Sequence, residues 1–282
     1  MDTTVNDHIS LAKIACSIRK SVILSLCEAG SGHLGGSLGL TDIFTALYFA
    51  ILRHNPEKPD WPNRDRVILS IGHVAPVLYA TLAHSGYFPR EELLTLRKLG
   101  SRLQGHPGRD HGLPGIELSA GSLGQGLGVA VGLSLANKID RSDSQTYCIL
   151  GDGELQEGSV WEAAMSAAHH QLGNLTAIVD RNGLQIDGNT ATVMKIEPLL
   201  KKWDAFGWQV IECDGHDFPS ILIAFEKRKE RPEQPSVIIA HTIMGKGVKS
   251  IEGDYHWHGK VPTKEQVEGF LIELGQGNEV SK

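Results

Sequence analysis

The 282-residue chain reads as an α/β protein, a doubly wound, mostly parallel sheet with helices on both faces, and three observations predict this. Short runs rich in Val, Ile and Leu alternate along the chain with amphipathic stretches of helix length, the order of elements that builds a parallel sheet. The runs lack the apolar–polar alternation of strands with one wet face, as strands covered on both faces do. Two of them end in polar residues one βαβ unit apart: Gly151-Asp152-Gly153 closes one and Asn182 closes the next, 30 residues after Asp152.

The first element is a helix from Asn6 to about Glu28, where Ile9, Leu11, Ile14, Ala15, Ile18, Val22, Ile23 and Leu26 recur near helical spacing and Gly30 supplies the stop. A second helix is predicted from about Leu40 to Arg53, with Ser37, Thr41 or Asp42 as candidate caps. Strands follow at Arg66–Ser70, Gln145–Leu150, Leu175–Val179, Gln209–Glu212 and Ser236–Thr242, each an apolar run bounded by turn residues. Helices at about Val74–His84, Leu123–Lys138, Gly158–Gln171, Glu197–Phe206 and Pro219–Lys229 alternate with them. The Gly158–Gln171 helix carries its apolar face at Val160, Ala163, Ala164 and Ala167. Thr263-Lys-Glu-Gln266 is a capping box for a last helix to about Leu274. No repeat, low-complexity tract or linker interrupts the pattern, so residues 1–282 are expected to form a single domain, with Pro56–Pro62 and Leu113–Gly124 as long functional loops.

Composition bounds the function. A hydrophobic fraction of 41% supports a sizeable core, and a net charge of −6 gives no electrostatic footprint for nucleic acid or an anionic membrane. Cys16, Cys27, Cys148 and Cys213 show no Cys-x-x-Cys spacing and read as reduced thiols. The acidic, polar start is no signal peptide, and no apolar run approaches ~18 residues, so a soluble cytoplasmic protein is expected. The run Glu226-Lys-Arg-Lys-Glu-Arg231 reads as a solvated helix end.

Chemistry concentrates at Asp152 and Asn182. Both fall at the carboxyl ends of adjacent parallel strands, where open α/β sheets bind ligands. One carboxylate, one amide oxygen and nearby backbone carbonyls make a hard half-shell that suits Mg²⁺ or Ca²⁺, with Mn²⁺ also possible, and leaves positions open for phosphate oxygens. A metal-held diphosphate is implied; a plain turn after a strand is the simpler reading of Gly-Asp-Gly alone. Two loops, Gly30–Gly39 and Gly121–Gly128, are rich in glycine, as backbones that approach a ligand closely are. Gly245-Lys-Gly-Val-Lys-Ser250 lacks the residue order of a phosphate-binding P-loop. His256-x-His258 could be half a zinc site, with no third ligand at recognisable spacing.

The string Gly151-Asp-Gly-Glu-Leu-Gln-Glu-Gly158, followed by Leu172-Gly-Asn-Leu175 and Asp180-Arg-Asn-Gly-Leu-Gln-Ile-Asp-Gly188, resembles the thiamine diphosphate motif in its transketolase form. Ser31-Gly-His33-Leu-Gly-Gly, Ser70-Ile-Gly-His73, Gly105-His106-Pro107, Leu113-to-Gly126 and His256-Trp-His258-Gly259 occur in the family's order, so the resemblance spans nearly the whole chain. It implies a thiamine diphosphate-binding fold in which Asp152, Asn182 and the carbonyl of Leu184 bind the metal. By the same resemblance Gly153 donates to the diphosphate, His73 contacts the cofactor, and Gly121, Ser122 and Leu123 line its rings. His33 and His106 face the sugar, His258 reaches diphosphate and substrate, and Glu157 joins a network between opposed domains. The implied reaction is reversible transfer of a two-carbon ketol unit from a ketose phosphate to an aldose phosphate.

In this family the glutamate that activates the aminopyrimidine lies in a further domain. The resemblance therefore implies an N-terminal subunit of a split transketolase, completed by a separately encoded C-terminal chain in a two-plus-two heterotetramer. The α subunit of a thiamine diphosphate-dependent 2-oxoacid dehydrogenase and a non-catalytic regulatory homologue are the alternatives. Two positions depart from the family pattern, since many transketolases have Pro where Leu34 and Ser122 stand.

Overall fold

A computed structural model describes residues 7–276. Helix α1 (His8–Ala29) starts at Asp7, whose carboxylate accepts from the amides of Ile9 and Ser10, and stops at Gly30 in the left-handed region at φ 67. The predicted start at Asn6 lies outside the described residues. Leu11, Ile18, Val22, Ile23 and Leu26 are fully buried, whereas Ile9 of the predicted stripe is exposed.

The expected Leu40–Arg53 helix is two pieces, α3 (Thr41–Ala46) and a π-helical turn over Leu47–Ile51, preceded by a short α2 (Gly35–Gly39) in the glycine-rich loop. None of the three candidate caps acts as one. Ser37 and Thr41 donate their hydroxyls to the carbonyls of His33 and Ser37, each 2.9 Å away, which satisfies buried oxygens at the expense of helix regularity. Asp42 is instead the centre of a buried triad, 2.6 Å from Arg19 and 2.8 Å from His216 Nδ1.

In chain order the rest are β1 (Arg66–Leu69), α4 (Ala75–His84), α5 (Gly126–Ile139), β2 (Thr146–Gly151), α6 (Gly158–His169) and β3 (Leu175–Arg181). A two-stranded antiparallel hairpin of β4 (Leu184–Gln185) and β5 (Gly188–Asn189) follows, then α7 (Thr190–Val193) and α8 (Leu199–Ala205). β6 (Gln209–Asp214), α9 (Phe218–Lys227), β7 (Ser236–His241) and α10 (Lys264–Gln276) complete the chain. Half of the capping box at α10 forms, with Gln266 Oε1 accepting from the Thr263 amide at 3.0 Å.

The main sheet runs β1-β2-β3-β7-β6 with every pair parallel. Alternate strand residues divide the core into two layers. Tyr147, Ile149, Ile178 and Ile238 pack with α1, α3, α4 and α9, while Cys148, Leu150, Val179 and Ile239 pack with α5, α6 and α8. Burial on both faces is what removed the alternation from the sequence. Gly151 pairs with Asp180, so Asp152 emerges beside Arg181 and Asn182 at the carboxyl ends of two interior strands. The hairpin and α7 have no counterpart in the sequence reading, because two-residue strands carry no periodicity.

Gly173, in the turn that feeds β3, explains one glycine of the Leu172-Gly-Asn string: a Cβ there would fall on the carbonyl of Pro232. Gly128, on the outer face of α5, has open space around its missing Cβ. Gly173→Ala should therefore cost about 2–3 kcal/mol through overpacking against backbone. Gly128→Ala should stabilise the isolated chain by about 0.5–1 kcal/mol, the gain in helix propensity. Urea unfolding of the two variants beside the parent checks both signs.

Candidate active site

A cleft of about 380 Å³ opens at the carboxyl ends of β1, β2 and β3 and collects residues far apart in sequence. One end is acidic and the other is imidazole. At the acidic end Asp152 is 2% exposed. Its Oδ1 accepts from the Gly153 amide at 2.8 Å, and its Oδ2 accepts from the Gly183 amide at 2.6 Å and from Arg181 Nη1 at 2.8 Å. Burial raises the Asp152 carboxyl above its ordinary range, against the pull of Arg181 and the two amides.

Asn182 is held on both sides. Its Nδ2 donates to Asp180 Oδ2 at 2.9 Å and its Oδ1 accepts from the Leu184 amide at 2.9 Å. The amide oxygen of Asn182 is thereby fixed beside Leu184, which lines the same cleft. Asp180 is fully desolvated and accepts the Thr242 hydroxyl; burial, reinforced by the negative charge of Asp152, pushes its carboxyl up to about 7. Asp180 is a residue the sequence reading passed over, since a carboxylate at a strand end is ordinarily solvated.

Four imidazoles form the other end. His33 lies 5.1 Å from His73, 6.0 Å from His106 and 5.6 Å from His258 between ring centroids, and His73 and His258 are 4.9 Å apart. Burial, with the neighbouring imidazoles, pushes His73 down to about 3 and His33 to about 4. His106 and His258 are lowered too, chiefly by burial. The rings are neutral near pH 7, each able to offer one donor and one acceptor. His33 Nδ1 is buried with no partner in the protein, a polar atom that calls for a ligand.

The loop Gly121–Gly126 joins the two ends. Glu154, 2% exposed, accepts from Ser70 Oγ and from the amides of Gly124 at 2.8 Å and Gly151 at 3.2 Å, while Ser70 Oγ accepts from the Gly126 amide at 3.0 Å. A buried carboxylate thus ties the loop to the ends of β1 and β2. Gly121 and Leu123 line the cleft, whereas Ser122 between them is exposed and is not part of its lining. Glu157 is exposed at the rim, outside the imidazole cluster.

Leu34 shows why Pro is dispensable there: its amide donates to the Lys260 carbonyl at 3.3 Å, a bond that Pro would delete. His256 is exposed and bonded to Asp254, and among the described residues no cluster of three or more His, Cys, Asp or Glu side chains is set to hold a metal, so the zinc half-site finds no completion. Arg97, exposed and in the left-handed region at φ 60, lies beside Gly105 and acts on His33 and His106 as a positive neighbour. Nothing in its local sequence marked it.

Residues 11–280 match the family model described as transketolase, thiamine diphosphate binding domain. The chain belongs to that family. It is 44% identical over 258 residues to one of the subunits of the apulose-4-phosphate transketolase of Phocaeicola vulgatus, covering 92% of this chain and 91% of that one. It is 43% identical over 267 residues to a 6-deoxy-6-sulfo-D-fructose transketolase subunit of a Clostridium species, covering 95% and 97%. Among solved structures, the transketolase of Campylobacter jejuni superposes with a TM-score of 0.89 at 35% identity. This chain is 98% covered in that superposition and spans 46% of the solved chain. It covers more than nine-tenths of each of the two relatives named as subunits. It is an N-terminal, thiamine diphosphate-binding transketolase chain of a transferase family. Among the described residues no helix is long and apolar enough to cross a membrane.

The desolvated histidines set a pH dependence. Unfolded imidazoles take up protons below their ordinary 6.5, whereas folded His73 and His33 stay neutral down to about 3 and 4. Their contribution to stability is complete above about pH 6.5 and is lost as the pH falls toward those values. Asp180, raised from 3.8 to about 7, acts in the opposite sense and loses stability as the pH rises between those values. His73→Asn isolates the imidazole: the stability of the parent relative to the variant should decline steadily from pH 7.5 to pH 5 in urea midpoints. A constant difference would remove the buried, neutral histidine.

Proposed function

We propose that this chain is the diphosphate-binding half of a two-chain ketol transferase. It would pass a two-carbon unit from a ketose phosphate to an aldose phosphate once a separately encoded C-terminal chain closes over it. The observation that carries the reading is the meeting of four neutral imidazoles with the Asp152–Asn182 pair in one cleft of a thiamine diphosphate-binding domain. The fit to the cofactor rests on three features: an orphaned Nδ1 on His33, a hard-oxygen donor pair in Asp152 and Asn182, and a Gly153 whose missing Cβ keeps a short wall next to Gln185. Asp152, the Asn182 amide oxygen and the Leu184 carbonyl would hold a divalent cation, Mg²⁺ by its preference for carboxylate and phosphate oxygens, with Ca²⁺ or Mn²⁺ as substitutes. Bound there, the thiazolium would supply the nucleophilic carbon that accepts and returns the two-carbon unit.

The chain's own residues divide the remaining work. The Gly153 amide, which donates to Asp152 in the present structure, would turn to the diphosphate. His73 and His258 would contact the cofactor, and Gly121, the backbone of Ser122 and Leu123 would border its rings. His33, His106 and His258 would offer donors and acceptors to sugar hydroxyls and move protons at the carbonyl oxygen, since neutral imidazoles can do either. Arg97, a positive neighbour of His33 and His106, would suit an anionic end of the sugar. Glu157, exposed on the rim, would meet an opposed chain across a two-fold axis, in keeping with an assembly of two plus two. A cytoplasmic location follows from the same reading. The relatives named for apulose 4-phosphate and 6-deoxy-6-sulfo-D-fructose make branched and sulfonated ketoses candidates beside ordinary ketose phosphates.

Three measurements test this. Asp152→Ala should weaken Mg²⁺-dependent thiamine diphosphate binding by more than about tenfold, ~1.4 kcal/mol, with circular dichroism unchanged; Asn182→Ala should act in the same direction, less strongly because a neutral ligand is lost. His33→Ala and His106→Ala should lower kcat/KM by more than they lower cofactor affinity, and His73→Ala the reverse. The chain alone should transfer no ketol unit, and mixing it with the product of an adjacent transketolase-like gene should restore transfer in a particle of twice two chains by light scattering. Full activity from this chain alone would end the two-chain reading. Cofactor binding without turnover in the mixture would favour the regulatory homologue.

A further inference from the structure

Asp152 lies in a pocket that already holds a cation. Arg181, between Asp180 and Asn182 at the end of β3, places Nη1 2.8 Å from Asp152 Oδ2 and 3.3 Å from Thr190 Oγ1, and Nη2 2.9 Å from Glu197 Oε1. Its side chain is 18% exposed and that of Asp152 3%. Both oxygens of Asp152 carry donors from the protein itself, the Gly153 amide on one and Gly183 with Arg181 on the other. A carboxylate has about four acceptor positions, and three are filled. Arg181 also ties down the excursion between β3 and α8, since it contacts Thr190 after the hairpin and Glu197 just before α8.

We propose that Arg181 is the built-in counter-cation of Asp152, stabilising the metal-free chain and opposing the divalent cation that the same carboxylate is to bind. The inference rests on the proposed assignment of Asp152 as a metal ligand. A guanidinium keeps its charge at any working pH, so a metal on Asp152 must share the carboxylate with a fixed positive charge or expel it toward Glu197. In either case two cations beside a buried carboxylate repel, and the repulsion is screened less than it would be at a surface. Metal-free Asp152 without Arg181 would be a buried carboxylate facing only amides, which is costly. One side chain therefore sets two quantities in opposite directions: it raises the stability of the empty chain and lowers the affinity for the metal.

The experiment compares the parent with Arg181→Met and Arg181→Gln, the second keeping one donor for Asp152 while losing the charge. Free Mn²⁺ is followed by electron paramagnetic resonance during titration in the presence of thiamine diphosphate, and thermal unfolding is recorded with and without saturating Mg²⁺ and cofactor. Expected are a lower melting temperature for both variants without metal, a gap to the parent that narrows with metal, and Mn²⁺ binding tightened by at least about tenfold, the scale of one unit charge at such a separation. A variant recovered folded only when Mg²⁺ is present supports the same conclusion. Unchanged or weaker Mn²⁺ binding in the two variants overturns it and makes Arg181 a residue that positions Asp152 for the metal or does not touch its affinity. Parent protein that takes up no Mn²⁺ overturns the metal assignment of Asp152 itself, and the counter-cation with it.

Discussion

The register between β2 and β3 is the constraint on which the site depends. Gly151 opposite Asp180 sends Asp152 out beside Asn182, and the Asp152 amide closes the pairing by donating to the Asp180 carbonyl at 3.2 Å. Side chains alternate across a strand, so a slip of one residue would carry Asp152 into the opposite helical layer and leave Asn182 without its neighbour. The register is held by the core on both sides: Ile149 and Ile178 can face only the α1 layer, and Leu150 and Val179 only the α5 layer. Ordinary apolar packing thereby places Asp152 and Asn182 side by side at the carboxyl ends of neighbouring strands.

The cleft gathers groups that a folded chain would rather leave in water. Asp152, Asp180, Glu154 and the four histidines are each desolvated, and all are shifted toward their uncharged forms. What keeps the acidic end folded is hydrogen bonding dense enough to replace the lost solvent: Glu154 takes three donors, Asp152 three and Asp180 two. The imidazole end lacks that compensation, and His33 Nδ1 is bare. Polar atoms left unsatisfied where a ligand would bind are a cost to stability and a gain in recognition.

The fold was largely legible from the sequence, because parallel strands buried on both faces and the helices between them are long enough to show their periods. The five main strands and the helices α4, α5, α6, α8 and α9 lie within a few residues of their predicted bounds. Residues 35–51 were not legible: the breaks there follow from buried Ser and Thr hydroxyls bonding backward and from Asp42 turning inward to Arg19, contacts made with residues distant in sequence. The candidate site divides the same way. Asp152, Asn182 and the histidines announce themselves through spacing and motif. Glu154, Asp180, Arg181 and Arg97 do not, since their importance lies in partners 2 to 84 positions away that only the folded chain supplies.

Separation of charge types resolves an apparent mismatch between an acidic chain and an anionic cofactor. The net charge of −6 offers no attraction for a diphosphate, and the acidic end of the cleft would repel one outright. On the proposed assignment a divalent cation would reverse that sign locally, with Asp152 as its charged ligand and the Gly153 amide left to donate to the diphosphate. On the same proposal the imidazole end would need no charge, because sugar hydroxyls are neutral and ask for donors and acceptors in equal measure. Raising the Asp180 carboxyl to about 7 fits the same scheme: a second full anion next to Asp152 would deepen the metal site but leave a buried charge whenever the metal is gone. Asp180 grips Asn182 through its Oδ2, and on the proposed assignment Asp152 alone would carry the charge for the ion.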